Sequence, residues 1–187
     1  MNSHGGLAAS LGVCDNVNCN SMNWSPRARV FWPVCLSLLI ADCATKELAE
    51  TYLGPEQTPH QVAGNVVRLT LAHNSGAAMS LSLGPYSRVG FSAAAILALA
   101  VLAQLYRATG TSDRRRAVAL ALLVAGAAGN LGNRLLSPKG VTDFIDIGLQ
   151  SWRFWTFNVA DAGITVGAVL LALVLLRDRP KGEGAIR

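Results

Sequence analysis

Four stretches of this sequence, residues 30–48, 89–106, 117–136 and 159–176, are apolar over close to the length at which an α-helix crosses a bilayer. A hydrocarbon layer of roughly 30 Å takes about 20 helical residues. Inside that layer each backbone N–H and C=O must be satisfied within its own segment or by a closed barrel. A helical membrane bundle is therefore the fold such a chain admits. Charged residues make up 14% of the chain, whereas a soluble domain carries about a quarter. The net charge of +5 does not point to nucleic acid, because the basic residues sit between apolar blocks rather than along an amphipathic surface. Length limits the chain to one domain, placed at residues 26–179. Residues 1–25 are rich in Asn, Ser and Gly without a hydrophobic period and are expected to form a disordered tail. Residues 180–187 are expected to form a cytoplasmic tail.

The loops set the topology. Arg27 and Arg29 precede the first block, Arg107, Arg114, Arg115 and Arg116 surround the middle link, and Arg177, Arg179, Lys181 and Arg187 follow the last block. The other two connections hold few basic residues. Cytoplasmic loops carry the excess of Lys and Arg, so both termini and the middle link are expected inside, and residues 49–88 and 137–158 outside. Within the first outer segment, residues 65–72 partly alternate apolar and polar, which predicts a short antiparallel strand pair. In the second, Trp152, Phe154, Trp155 and Phe157 suggest an interfacial aromatic belt at the outer surface. Cys14, Cys19, Cys35 and Cys43 form no CxxC pair and have no neighbouring His, so they are expected to be packing or incidental residues rather than a zinc or disulfide framework.

Ionisable groups inside spanning helices cost about 2.5 kcal/mol or more at the bilayer centre. Here Asp42, Lys46, Glu47, Arg134 and Asp161 all fall near the outer ends of their blocks, and Asp143 follows the third block. Asp42 and Lys46 are four apart, share a helix face and can neutralise each other, which suggests a structural pair. A Ser–Lys protease would need a placed serine, and Ser80 and Ser82 are candidates only by default. Asp161 has no basic residue three or four positions away, so its partner comes from another element. Spacing leaves two choices. Asp143 could join it in a dyad of one general base and one general acid, or Arg134 could pair with it while Asp143 stays a solvated loop residue. Asp146 is a lesser alternative to Asp143, expected at the interface. Asn74, Asn130, Asn133 and Asn158 lie at the same outer level, where amides either hydrogen-bond across helices or grip an extended peptide. Gly76, Gly126, Gly129 and Gly132 allow close helix packing.

Five segments taken in order, Asp42-Cys43-Ala44-Thr45-Lys46, His73-Asn74-Ser75-Gly76-Ala77-Ala78, Gly129-Asn130-Leu131-Gly132-Asn133-Arg134, Val141-Thr142-Asp143-Phe144-Ile145-Asp146 and Phe157-Asn158-Val159-Ala160-Asp161-Ala162, resemble the motifs of bacterial signal peptidase II, the lipoprotein signal peptidase. The likeness runs from about residue 30 to residue 177. It implies an all-α membrane fold of four transmembrane helices with a small extracytoplasmic β-cradle. It also implies an aspartyl endopeptidase of the bacterial inner membrane that removes signal peptides from prolipoproteins, cutting before the diacylglyceryl-modified cysteine. By this resemblance Asp143 and Asp161 match the catalytic dyad. Asn74, Gly76, Asn130, Arg134 and Asn158 match substrate-site positions, and Asp42, Lys46 and Asn133 match structural ones. No metal or organic cofactor is expected. The implied partners are diacylglyceryl-cysteine prolipoproteins, membrane lipids and globomycin-type inhibitors, with no nucleic acid, and the chain is expected to be a monomer. One departure is Asn133, where the family usually has Asp. It removes a charge beside Arg134 and keeps a hydrogen-bond acceptor. Two other functions remain open on these residues. One is a catalytically weak or silent relative that binds lipoprotein or inhibitor. The other is a small proton-coupled transporter, although transporters place their charges near the midplane and often carry repeats.

Overall fold

Four helices carry the apolar blocks: α1 (Pro26–Tyr52), α2 (Ser87–Ala108), α3 (Arg114–Leu136) and α4 (Val159–Arg177). The computed structural model describes residues 24–75, 84–149 and 152–178. All four helices are long and apolar enough to cross a membrane. Much of their aliphatic surface stays uncovered, including Ile96, Leu97 and Val101 on α2 and Val166, Val169 and Leu173 on α4. In water such a surface would drive association, whereas against lipid tails it needs no partner.

The bundle packs where its residues are small. Ala117, Leu120, Ala121 and Ala125 of α3 close on Phe31 and Cys35 of α1 in one core cluster, while Cys43 is exposed. At two glycines of α3 the approach leaves no room for a side chain. A methyl group on Gly129 would lie 2.5 Å from an Asp42 carboxylate oxygen, and one on Gly126 would collide with the Ala160 carbonyl of α4. These contacts bring the polar outer ends of α1, α3 and α4 together.

The helix ends follow from local chemistry. Ser25 caps α1 and Asp113 caps α3, the latter accepting from the Arg116 N–H at 3.0 Å. At α4, Asn158 and Asp161 form a reciprocal capping box, which satisfies two donors that the first turn would otherwise leave bare.

The strands form one antiparallel arrangement in the order β1 (Pro59–Ala63), β2 (Val67–Asn74), β3 (Val141–Leu149) and β4 (Trp152–Arg153). The expected strand at 65–72 is β2, shifted by two residues. The pair is larger than the alternation suggested, because β3 lies in the second outer segment, where no strand was expected. Its first four residues are all buried. A strand covered on both faces shows no period of two, so sequence alternation cannot reveal it. The fold is an all-α membrane bundle with a small antiparallel sheet at one end, and the sheet connects α1 to α2 and α3 to α4.

Candidate active site

The site forms where β3 leaves α3 and where α4 begins. Asp143 is the third residue of β3, 5% exposed, and is therefore not the solvated loop residue that spacing allowed. Asp161 is the third residue of α4, where the capping box requires an acceptor. Its carboxylate takes the Asn158 N–H at 3.3 Å and the Asn130 side-chain amide at 2.7 Å. Among the described residues it makes no ion pair with Arg134.

Asn158, fully buried, connects the two aspartates. Its Nδ2 donates to Asp143 Oδ1 at 2.6 Å, and its Oδ1 accepts the Asp161 N–H at 3.0 Å. The orientation of the other amide is forced. Asn130 Oδ1 accepts from the Lys46 ammonium at 2.9 Å and from Asn158 Nδ2 at 3.2 Å. A cation on that side requires the oxygen there, so the Asn130 NH2 must face Asp161. Lys46 also donates to Asp42 at 2.8 Å, and the second Asp42 oxygen accepts the Ala160 N–H of α4 at 2.9 Å. The Asp42–Lys46 pair thus forms as its spacing predicted. It also reaches further, since Lys46 orients Asn130 toward Asp161 and Asp42 accepts a backbone N–H at the start of α4.

Asn74 approaches from β2. The register sets Ala72 opposite Asp143 and Asn74 opposite Val141, so Asn74 is the diagonal neighbour of Asp143 on the same face. Its side chain hydrogen-bonds the Asp143 carboxylate. Burial first, and the Asp161 charge second, push the Asp143 pKa from 3.8 up to about 7, against the Asn158 and Asn74 bonds and the Lys46 charge. Arg134 donates to the Asn130 carbonyl at 3.3 Å and lies over the Phe91 ring. Asn133 Oδ1 accepts the Thr142 N–H at 3.1 Å, a bond that needs an oxygen but no charge.

Asp143, Asp161, Asn74 and Arg134 open onto a cleft of about 760 Å³ that Phe154, Trp155 and Ile164 also line. A carboxyl group whose pKa is raised, set beside a second carboxylate on such a cleft, is an arrangement that can supply one acid and one base. Asp146 is not part of it, because Arg153 binds it at 2.6 Å and Thr70 donates to it at 3.3 Å. Gly76, Ser80 and Ser82 lie outside the described residues, as do Cys14 and Cys19. Sequence reasoning assigned no role to Glu50, Thr142 or His73. Glu50 continues the four-residue spacing of Asp42 and Lys46, and that spacing was the available signal.

The profile of the family described as Signal peptidase (SPase) II matches residues 34–177. The chain belongs to the signal peptidase II family. The lipoprotein signal peptidase of Geobacter metallireducens is 38% identical over 154 residues, covering 82% of this chain and 94% of that protein. That of Pseudomonas syringae pv. tomato is 44% identical over 117 residues, covering 61% and 67%. Among solved structures, a bacterial membrane enzyme determined by the in meso method superposes with a TM-score of 0.72 at 28% identity, covering 84% of this chain and 94% of the other. As a member of this family with four helices able to span a membrane, the chain is a multi-pass bacterial membrane peptidase.

Proposed function

We propose that this chain is an aspartyl endopeptidase that removes signal peptides from prolipoproteins, cutting before the diacylglyceryl-modified cysteine. The observation that carries this reading is the pair of carboxylates, buried Asp143 and half-buried Asp161, both hydrogen-bonded by Asn158 and open to a cleft. The names of the relatives supply the substrate class. The cleft supports it, because Asn74 and Arg134 offer polar contacts to a peptide while Ile164 and the aromatic side suit an acyl chain.

In this mechanism Asp161 is ionised and Asp143 holds the proton. Asp161 takes a proton from water as the oxygen attacks the carbonyl carbon, and Asp143 donates its proton to the carbonyl oxygen, giving a gem-diol. Asp143 then recovers a proton from one hydroxyl, Asp161 gives its proton to the leaving nitrogen, and the C–N bond breaks. Acid and amine leave, and the dyad returns to its starting state. Asn130 and Asn158 hold the two carboxylates, and Arg134 binds backbone or headgroup oxygens. The enzyme would sit in the inner membrane with both termini cytoplasmic and the cleft near the outer face, acting as a monomer and open to globomycin-type inhibition.

The test uses purified Asp143→Asn and Asp161→Asn with a diacylglyceryl peptide. Each is expected to lose about a thousandfold in turnover, in the range of general acid–base contributions. Near-normal turnover in either variant removes the dyad. Cleavage of the unlipidated peptide at the same rate removes the substrate assignment.

A further inference from the structure

On the face of the sheet turned away from the dyad, one carboxylate holds both strands that carry the site. Thr142, the neighbour of Asp143, donates its hydroxyl to Glu50 Oε1 at 2.8 Å. His73, the neighbour of Asn74, places Nε2 2.5 Å from that same oxygen and Nδ1 2.6 Å from Glu56 Oε1. The His73 side chain is 6% exposed, with a carboxylate oxygen at each ring nitrogen. His73 and Thr142 are also direct cross-strand partners. Their pairing is not guaranteed by the ladder alone, because the register slips between Leu69 and Ala72, immediately before the site. An irregularity of that kind lets a strand bend and twist locally, and a tie is needed beyond it. Glu50 supplies that tie from α1.

Asp42, Lys46 and Glu50, spaced by four on α1, divide the task. Asp42 and Lys46 fix the α4 side through the Ala160 N–H and Asn130. Glu50 fixes the sheet side. One rigid helix therefore sets the position of both aspartates.

We propose that Glu50 is a positioning residue for the dyad, holding Asp143 through Thr142 and Asn74 through His73. The inference rests on the dyad proposed above and adds a residue that does not itself touch the cleft.

The test measures kcat and KM on the full chain in lipid nanodiscs with a diacylglyceryl peptide. Glu50→Ala and Thr142→Val are each expected to lower kcat about tenfold with KM unchanged, because small misplacements of reacting groups cost up to about a hundredfold. Glu50→Gln, which keeps an oxygen for the Thr142 hydroxyl, is expected to fall between Glu50→Ala and the parent. The double variant Glu50→Ala/Thr142→Val is expected to be no slower than Glu50→Ala, because both remove one tie. Parental kcat in Glu50→Ala, or losses that multiply in the double variant, would overturn the inference. If Glu50→Ala does not fold, Thr142→Val and Glu50→Gln carry the same comparison, and parental kcat in both overturns it. Asp143→Asn run alongside separates the two claims. An active Asp143→Asn defeats the dyad itself, whereas an inactive one beside a fully active Glu50→Ala defeats only the positioning.

Discussion

Asp143 carries the most direct consequence at the scale of single residues. Its pKa is pushed from 3.8 up to about 7, by burial first and by Asp161 second. The proposed mechanism needs its proton, so kcat/KM is expected to fall as pH rises through about 7, and a profile flat from pH 6 to about 9 would contradict the assignment. Stability follows the same sign. A folded pKa above the unfolded one means that the native state binds the proton more tightly. That contribution is complete below 3.8 and is lost as pH rises from there to about 7. Asp143→Asn lacks it, so the melting temperature of the variant relative to the parent is expected to rise across that window, measured by thermal unfolding in one detergent. Asp161 was legible in the sequence because an ionisable group inside an aliphatic spanning block is conspicuous by its cost, whereas Asp143 lies outside the blocks and is singled out only by the motif resemblance. His73 and Thr142 were not legible, because their bonds to Glu50 join elements far apart in sequence, and the four-residue spacing of Glu50 from Lys46 marks a helix face without naming its partners. Asn133 is intermediate. Its departure from the family pattern was visible, but only the Thr142 N–H at 3.1 Å explains why an amide oxygen suffices there.

Between elements, the Asp42–Lys46 pair does more than neutralise a helix face. Both side chains are buried, at 1% and 6% exposed, and one Asp42 oxygen caps the α4 N-terminus. Removing one partner from a buried pair leaves an uncompensated charge and costs about 3–5 kcal/mol. Lys46→Met is therefore expected to lower the melting temperature sharply. Asp42→Asn/Lys46→Met is expected to recover part of that loss, because no isolated carboxylate remains while the asparagine oxygen still caps Ala160. Equal melting of the single and double variants would show that the charge is already solvated. The start of α4 could be read from Asn158 and Asp161, spaced three apart before an aliphatic run. The four helices were equally plain from their length and hydropathy. β3 was hidden by its own burial, and with it the fact that Asp143 stands on a strand rather than in a turn. The strand matters, since it brings Asn74 to Asp143 across a fixed register.

At the scale of the whole molecule, the two ends of the bundle differ in kind. One end gathers arginines from all four helices. The Arg27 guanidinium binds the Tyr106 carbonyl at 2.9 Å and also the Thr109 carbonyl, and Arg116 bridges Asp113 at 3.1 Å and Asp178 at 2.6 Å. Arg29, Arg107, Arg114, Arg115 and Arg177 join them by position in the sequence. The opposite end carries the sheet, the dyad and the exposed Trp152 and Trp155. The excess of Lys and Arg marks the cytoplasmic side, and aromatic residues gather at a membrane interface, so the cleft is expected to face outward, where an exported precursor arrives. Single cysteines test this in a background with Cys14, Cys19, Cys35 and Cys43 replaced. Lys139→Cys, beside the sheet, is expected to react with a membrane-impermeant maleimide on intact spheroplasts. Arg107→Cys, in the last turn of α2, is expected to react only after the membrane is opened. The reverse pattern would put the dyad on the cytoplasmic face. A precursor emerging outside could then not reach it, and the substrate assignment would fail even if both aspartates proved essential to hydrolysis.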